Sequence, residues 1–147
     1  MYISRDDITA AISPIELVQL TNDEMSDYAT AQTDWAVVDR AITYACELAD
    51  GYLTGRYSLP LADPPSLLRQ CCGDLARYWL HKRRLHGAEM PKGVQMAYDD
   101  ATKMLGLVRD GKLHLGIRGQ AEATEQLQPE KGAYRVRGNP RQDWSGY

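Results

Sequence analysis

The sequence lacks the features that mark a membrane or secreted protein. None of its apolar runs is long enough to span a bilayer. The first residues, MYISRDD, carry charges where a signal peptide would have its apolar core. The three cysteines form an odd set without a C-x-x-C pair, which is typical of free, buried thiols in the cytosol. We therefore expect a protein that is made in the cytoplasm and has no membrane partner.

Motifs that carry catalysis or bind a cofactor are also missing. The sequence contains no G-x-S-x-G, no Walker loop, no G-x-G-x-x-G and no H-E-x-x-H. His81 and His86 are five positions apart on a predicted helix, so they point in different directions. Cys46 and Cys72 could meet a histidine in space, but no ligand spacing supports a zinc site. We expect no enzymatic activity, no cofactor and no metal.

Positive charge is too scarce for a protein that wraps nucleic acid. The formal net charge is −3. Residues 1–117 hold 12 Lys and Arg against 16 Asp and Glu, whereas residues 118–147 hold 5 against 4. One basic cluster, HKRRLH at 81–86, lies near the end of a predicted helix, where it complements the helix dipole. A small helical DNA-binding regulator that uses this cluster is one alternative function.

The apolar pattern predicts an all-α domain, a small bundle of about four to five helices in residues 1–117. Apolar residues recur every three or four positions within 34–54, within 66–86 and after Pro91. Two shorter helices are expected at the N-terminus, and a length of 147 residues suffices for one domain with a core. The predicted helix ends are the N-caps Ser4, Ser13, Asp34 and Ser66 and the left-handed C-terminal glycines Gly55 and Gly111.

A long extended, proline-rich loop, YLTGRYSLPLADPP at 52–65, joins the two longest predicted helices. Its apolar side chains Tyr57, Leu59 and Leu61 are two positions apart, and its prolines stiffen the chain. This arm either lies across a neighbouring copy or packs on its own helices, and the pattern fits both. Its candidate contact residues are Arg56, Tyr57, Leu59, Pro60 and Leu61.

The segment KLHLGI at 112–117 alternates Leu113, Leu115 and Ile117, which predicts a short β segment. A lone strand leaves its backbone unpaired, so it would have to pair with the arm, with the C-terminal tail or with another molecule.

The C-terminal extension, residues 118–147, loses periodicity and is rich in Gly, Gln, Glu and Arg, so we expect it to be flexible until bound. It keeps a sparse apolar set and a motif, AYRVRG, in which apolar residues alternate with arginines. A tail of this kind either folds on a partner or only adds solubility. Its candidate binding residues are Tyr134, Arg135, Val136, Arg137, Trp144 and Tyr147.

Several blocks, in this order, resemble the head–tail connector (adaptor) family of tailed phages, in its Mu-like branch. They are MYISRDDI, ELVQLT, DRAITYACELADGYLTGRYSLPL, LARYWLH and DGKLHLGI, and they span residues 1–117. The most specific pieces are D-G-Y-L-x-G-R-Y-x-L-P-L at 50–61 and K-L-x-L-G at 112–116. The tail matches less well.

The resemblance implies a structural protein whose copies form a ring, twelve-fold in symmetry, between the portal and the tail. The ring would sit at the neck of the virion after assembly in the host cytoplasm and would extend the DNA channel. Genomic DNA would pass without sequence-specific binding. The implied partners are other copies of the chain, the portal protein and a tail-proximal connector or tail terminator protein. Related connectors insert a C-terminal tail into the portal. A head-completion stopper or a tail terminator protein is the nearest alternative.

Overall fold

The computed structural model describes residues 1–23, 30–85 and 87–117. Over these residues the chain forms five helices and no strand, which confirms the predicted all-α class. None of the described helices is long and apolar enough to cross a membrane. The helices are α1 (Arg5–Ala11), α2 (Pro14–Thr21), α3 (Trp35–Leu53), α4 (Ser66–Lys82) and α5 (Lys92–Arg109).

Three of the predicted N-caps are confirmed. The Ser4 side chain accepts a hydrogen bond from the backbone amide of Asp7. The Asp7 carboxylate in turn accepts a hydrogen bond from the Ser4 amide at 2.7 Å, which completes a capping box. The Ser13 hydroxyl accepts the amide of Glu16 at 3.3 Å, and Asp34 caps α3 through its carboxylate. Each cap satisfies amides that the first turn of a helix leaves unpaired, so local sequence suffices to place it.

Two predicted helix ends are wrong. Ser66 is the first residue of α4, and Pro65 occupies the N-cap position without a side-chain hydrogen bond. Gly55 is not among the described glycines with a positive φ. The chain leaves α3 through further right-handed turns instead, in which the amides of Arg56 and Tyr57 both bind the Leu53 carbonyl, at 2.8 and 3.0 Å. A left-handed residue is therefore not needed at this end.

Gly111, by contrast, ends α5 as predicted, with φ at +74°. The amides of Lys112 and Leu113 then return to the carbonyl of Leu107 at 2.9 and 3.1 Å. A Cβ at this glycine would also lie 2.6 Å from the guanidinium of Arg56. The backbone conformation favours glycine here, and the Arg56 guanidinium would have to shift to admit a Cβ.

Helix α4 packs against every other described helix. Its apolar side meets α3 and α5, and small residues at this contact let the helices approach closely. Tyr2 and Ile3, which precede α1, are also buried, and the Tyr2 amide donates to Cys46 Sγ at 3.3 Å. The three cysteines are free and buried, as expected. The fully buried contact residues include Val38, Ala45 and Ala49 on α3 and Leu68, Cys72, Leu75 and Ala76 on α4.

The short β segment predicted for 112–117 is a wrong prediction, because the described chain forms no strand there. Gly116 has φ at +74°, which interrupts an extended conformation. The backbone finds other partners, since the buried amide of Leu115 donates to the Tyr57 hydroxyl at 3.1 Å. Leu113 and Ile117 pack half-buried against the core. Pairing of Leu113, Leu115 and Ile117 with a neighbouring edge stays an untested prediction.

A polar contact ties α2 to α4. Glu16 Oε1 accepts from Arg77 Nη2 and lies against His81 Nε2, both at 3.0 Å. Burial alone would raise the pKa of Glu16, but the hydrogen bonds from Arg77 and His81 outweigh it and hold the pKa below its usual value. The carboxylate is therefore more stable in the folded chain than in the unfolded chain.

We predict that Glu16→Gln lowers the free energy of unfolding by about 1–2 kcal/mol at neutral pH, because Arg77 and His81 lose a charged acceptor. The folded pKa of Glu16 is depressed, so its contribution is complete above the unfolded carboxyl pKa and disappears as the pH falls through the folded pKa. Urea denaturation at neutral and acidic pH measures both effects. Glu89→Gln is the control, since Glu89 is exposed and has no ion pair among the described residues. A loss that is equal at both pH values would contradict the assignment.

We also predict that Tyr57→Phe costs about 1 kcal/mol of stability, because it leaves the buried Leu115 amide without an acceptor. Tyr44→Phe is the matched control, since the Tyr44 hydroxyl makes no hydrogen bond within the described residues and lies at the surface. Urea denaturation of both variants gives the comparison. Equal effects of the two substitutions would show that the Tyr57 hydroxyl is not a structural acceptor.

Candidate protein-interaction surface

The proline-rich arm is folded against its own domain over part of its length. Tyr57 is only 4% exposed and belongs to the core. Leu59 and Leu61 are half-buried against that core, and the Leu59–Pro60 peptide bond is cis. Pro60 is exposed. Of the two interpretations of the arm, packing on its own helices therefore holds for Tyr57, whereas contact with a neighbouring copy stays a prediction for the rest.

Arg56, at the base of the arm, is half-buried against the turn that follows α5. Its guanidinium occupies the space beside Gly111, so it joins the end of α3 to the end of α5. The remaining predicted contact residues, Tyr134, Arg135, Val136, Arg137, Trp144 and Tyr147, lie outside the described residues.

The basic cluster at 81–86 is largely engaged inside the molecule. Arg83 donates to the Leu20 carbonyl at 2.8 Å and pairs with Asp23, and Arg84 pairs with the same carboxylate at 3.3 Å. The hydrogen bond from Arg83 holds the pKa of Asp23 below its usual value. His81 faces Glu16, and His86 lies outside the described residues. These contacts hold α4 to the end of α2 and leave little free charge for phosphates.

A polar groove of about 540 Å³ separates α1 from α4. Its charged residues already have partners within the chain: Asp7 binds Ser4, Arg69 pairs with Asp63 at 3.7 Å and Arg77 pairs with Glu16. Burial raises the pKa of Asp74, whose carboxylate accepts a hydrogen bond from the Gln70 side-chain amide at 3.2 Å. Its lining residues are Ile3, Asp7, Ala10, Ala11, Ser66, Arg69, Gln70, Gly73, Asp74 and Arg77.

The described chain contains no cluster of three or more residues that could hold a metal ion. Cys46 and Cys72 do come together across the contact of α3 with α4, as the sequence allowed. The hydrogen bond to Cys46, and then burial, raise the pKa of the Cys72 thiol. These sulfurs therefore pack as core thiols.

Five aromatic residues gather where α3, α4 and α5 meet at the surface, and we call them the aromatic seam. Tyr78 stacks on Tyr98 with ring centroids 3.9 Å apart and an interplanar angle of 21°. Tyr44 lies 6.4 Å from Trp79, centroid to centroid. The rings therefore connect all three helices. The seam consists of Tyr44, Tyr52, Tyr78, Trp79 and Tyr98.

The seam is only partly covered. Tyr44 is 36% exposed, and the other four rings are half-buried. Burial, and then the neighbouring tyrosines, raise the pKa of Tyr98. In the described part of the chain the hydroxyls of Tyr44, Tyr52, Tyr78 and Tyr98 make no hydrogen bond; the tyrosine hydroxyls that do are those of Tyr2 and Tyr57.

The seam extends along α3 and α5, and its two ends differ in composition. Its first end carries Tyr44, Tyr78, Trp79 and Tyr98. Its second end lies about two to three turns further along, where the Arg109 guanidinium sits 5.8 Å from the centre of the Tyr52 ring. Tyr44 precedes Tyr52 on α3, and Tyr98 precedes Arg109 on α5, so these two helices run in the same direction.

Such a surface is suited to binding protein. Tyr, Trp and Arg dominate the energy of protein interfaces, because they bury large areas at little entropic cost and keep a polar group for a hydrogen bond. Sequence reasoning assigned Tyr52, Trp79 and Tyr98 to apolar helix faces and left Tyr44 and Tyr78 unassigned. The i, i+4 spacing of Tyr44, Leu48 and Tyr52 is the one signal that could have indicated a continuous stripe.

Comparison with known proteins shows which family this chain is similar to. The family described as Bacteriophage Mu, Gp36 matches residues 2–134. The "Gene product J" of Escherichia phage Mu is 30% identical over 125 residues, which cover 85% of this chain and 83% of that protein. The Mu-like prophage FluMu protein gp36 of Haemophilus influenzae is 35% identical over 100 residues, 68% of this chain and 65% of that protein.

Proposed function

The chain belongs to the phage Mu Gp36 family, and from this premise we propose that it is a structural virion protein, a head–tail connector (adaptor) subunit. Copies of it form a ring between the portal and the tail and extend the DNA channel. The ring contacts itself, the portal protein and a tail-proximal connector or tail terminator protein. The location is the neck of the virion.

The aromatic seam is the single observation that most favours this function. It is a partly covered surface of Tyr and Trp on three helices, with four hydroxyls that have no partner among the described residues. A surface of this composition fits a protein partner better than a small-molecule substrate. In the groove between α1 and α4, Arg69 and Arg77 pair with Asp63 and Glu16, which favours a binding role over a catalytic one for this protein.

The charge of the body fits a channel through which DNA slides. Residues 1–117 carry a formal charge of −4, from 12 Lys and Arg and 16 Asp and Glu. Negative charge on the inner wall of a ring repels phosphates and keeps the duplex from binding. The pairing of Arg83 and Arg84 with Asp23 also disfavours the alternative of a DNA-binding regulator.

The ring assembles on a template. A stable interface buries about 800 Å² on each partner, and a small body cannot easily offer two such faces. Individual contacts between copies are therefore weak, and binding to the portal raises their effective concentration. Free protein at low micromolar concentration is accordingly a monomer. A head-completion stopper or tail terminator would use the same kind of surface but engage a different neighbour.

We predict that particles produced without this protein are full heads that lack tails, accompanied by free tails, because the joint between them cannot form. Negative-stain electron microscopy of an amber-mutant lysate makes the measurement, and supplying the gene in trans is the control. Normal joined particles would refute the connector function. Tails without heads and heads that have lost their DNA would indicate a stopper instead.

We predict that deletion of residues 118–147 abolishes association with the portal, because connectors of the resembling family insert their C-terminal tail there. The helical body should remain folded by circular dichroism, since all described core residues precede residue 118. The matched control keeps a tail of the same length and composition in scrambled order. Co-sedimentation with portal rings gives the result, and undiminished binding of the truncated chain would exclude the inserted tail.

A further inference from the structure

Two glycines, one on α3 and one on α5, leave open space beside the aromatic seam. Gly51 follows Leu48 by three positions and Tyr44 by seven, so it shares their side of α3. Gly106 similarly follows Thr102 and Tyr98 on α5. A Cβ added at either glycine would meet nothing within 4 Å. Glycine inside a helix costs about 1 kcal/mol relative to alanine, and nothing among the described residues requires it at these positions.

The described chain ends beside this surface. After α5 it turns at Gly111, and its next buried anchor is the hydrogen bond from the Leu115 amide to Tyr57. Tyr57 follows the end of α3 by four positions, and Tyr52 and Arg109 occupy the same end of these helices. The described chain therefore ends, at Ile117, near the second end of the seam.

The chain that follows Ile117 is long enough to bring residues 134–137 to any part of the seam. The seam runs for about 12 Å between Tyr44 and Tyr52, at 1.5 Å per helical residue. The stretch from Ile117 to Tyr134 spans up to about 60 Å when extended. The motif at 134–137 can therefore reach any point of the seam on its own body.

The motif also matches the seam in chemistry. In an extended chain the side chains of Tyr134 and Val136 point to one side and those of Arg135 and Arg137 to the other. The apolar pair fits over the tyrosine rings and the glycines. The arginines then face away from the rings, and their long, flexible side chains bend back to the borders of the seam.

Those borders carry suitable partners. Glu47 follows Tyr44 by three positions on α3, and Asp99 adjoins Tyr98 on α5. Both carboxylates are exposed and have no ion pair within the described ranges, and Asp99 accepts one hydrogen bond, from Gln95 at 2.8 Å. Arginine pairs well with carboxylates and also stacks on aromatic faces, as Arg109 does over Tyr52.

We propose that residues 134–137 dock on the aromatic seam of their own chain, with Tyr134 and Val136 on the rings and the arginines at Glu47 and Asp99. In the free protein this contact covers the seam. The inference does not depend on a role at the portal, and it concerns the chain before any partner binds.

The test uses the full chain with a benzophenone amino acid in place of Val136. Irradiation followed by peptide mass spectrometry should give cross-links to peptides that contain Tyr44, Tyr52 or Tyr98. In an equal mixture of ¹⁵N-labelled and unlabelled chains the products should carry one isotope only. Cross-links to other faces, products of mixed isotope or the absence of cross-links would each overturn the proposal.

Charge reversal provides a second readout that leaves the core intact. Arg135→Glu combined with Arg137→Glu should lower the cross-linking yield about fivefold, the loss expected for two weak ion pairs. Adding Glu47→Lys and Asp99→Lys should restore it. Arg141→Glu is the matched control and should leave the yield unchanged. Equal yields from all of these chains would refute the ionic contacts. Portal binding, measured separately, decides the connector function independently of this result.

Discussion

The burial of α4 is the contact on which the rest of the structure depends. Each of the other helices in the described chain packs on it. Its apolar side chains insert between α3 and α5, where transfer of a Leu from water contributes about 1.5–3 kcal/mol. Its polar side holds α2 through Glu16, Arg77 and His81. A helix that is contacted on both sides leaves few side chains for other purposes.

This central position explains why two arginines of the basic cluster, Arg83 and Arg84, are engaged within the molecule. The last turns of α4 must be joined to the end of α2, which offers the Leu20 carbonyl and the Asp23 carboxylate. Arginine is suited to this position because its planar group can donate several hydrogen bonds at once. The charges that would attract a phosphate are thus used for tertiary structure.

The aromatic seam follows from where the short N-terminal helices pack. α1 and α2 pack on α3 and α4, so the meeting line of α3 with α5 has no helix above it among the described residues. Side chains at that line are neither in the core nor fully in water. Tyr and Trp suit such a boundary, since each ring has an apolar body and a polar edge or tip. The surface is therefore available to a partner because α1 and α2 pack on α3 and α4 and leave α5 uncovered.

Helices and N-caps could be predicted from sequence because they depend on residues within one or two turns. The Ser4–Asp7 capping box and the Asp34 cap are of this kind. The predicted strand, in contrast, depends on a tertiary contact. The alternation at 112–117 is real, but the Tyr57 hydroxyl supplies the partner of the Leu115 amide that a strand would otherwise need. No pattern within the segment could indicate a phenol that is 58 residues away along the chain.

The candidate site was hidden for a related reason. A tyrosine at helical spacing has the same sequence signature whether it is buried or lies at an uncovered seam. Tyr98 stacks on Tyr78 only because α4 and α5 pack side by side, and this depends on the whole bundle.

The same geometry bears on assembly. If copies of the chain form a ring only on the portal, as we propose, the free subunit must avoid joining other copies through an exposed aromatic surface. Thirty residues follow Ile117, and they carry Tyr134 and Val136 in alternation with Arg135 and Arg137. A tail that covers the seam in the free protein would prevent premature association. If the same tail leaves the seam on the template, the surface becomes available to the next copy. In this arrangement the binding of the tail elsewhere uncovers the surface that the next copy contacts, so the order of assembly follows from competition for a single peptide.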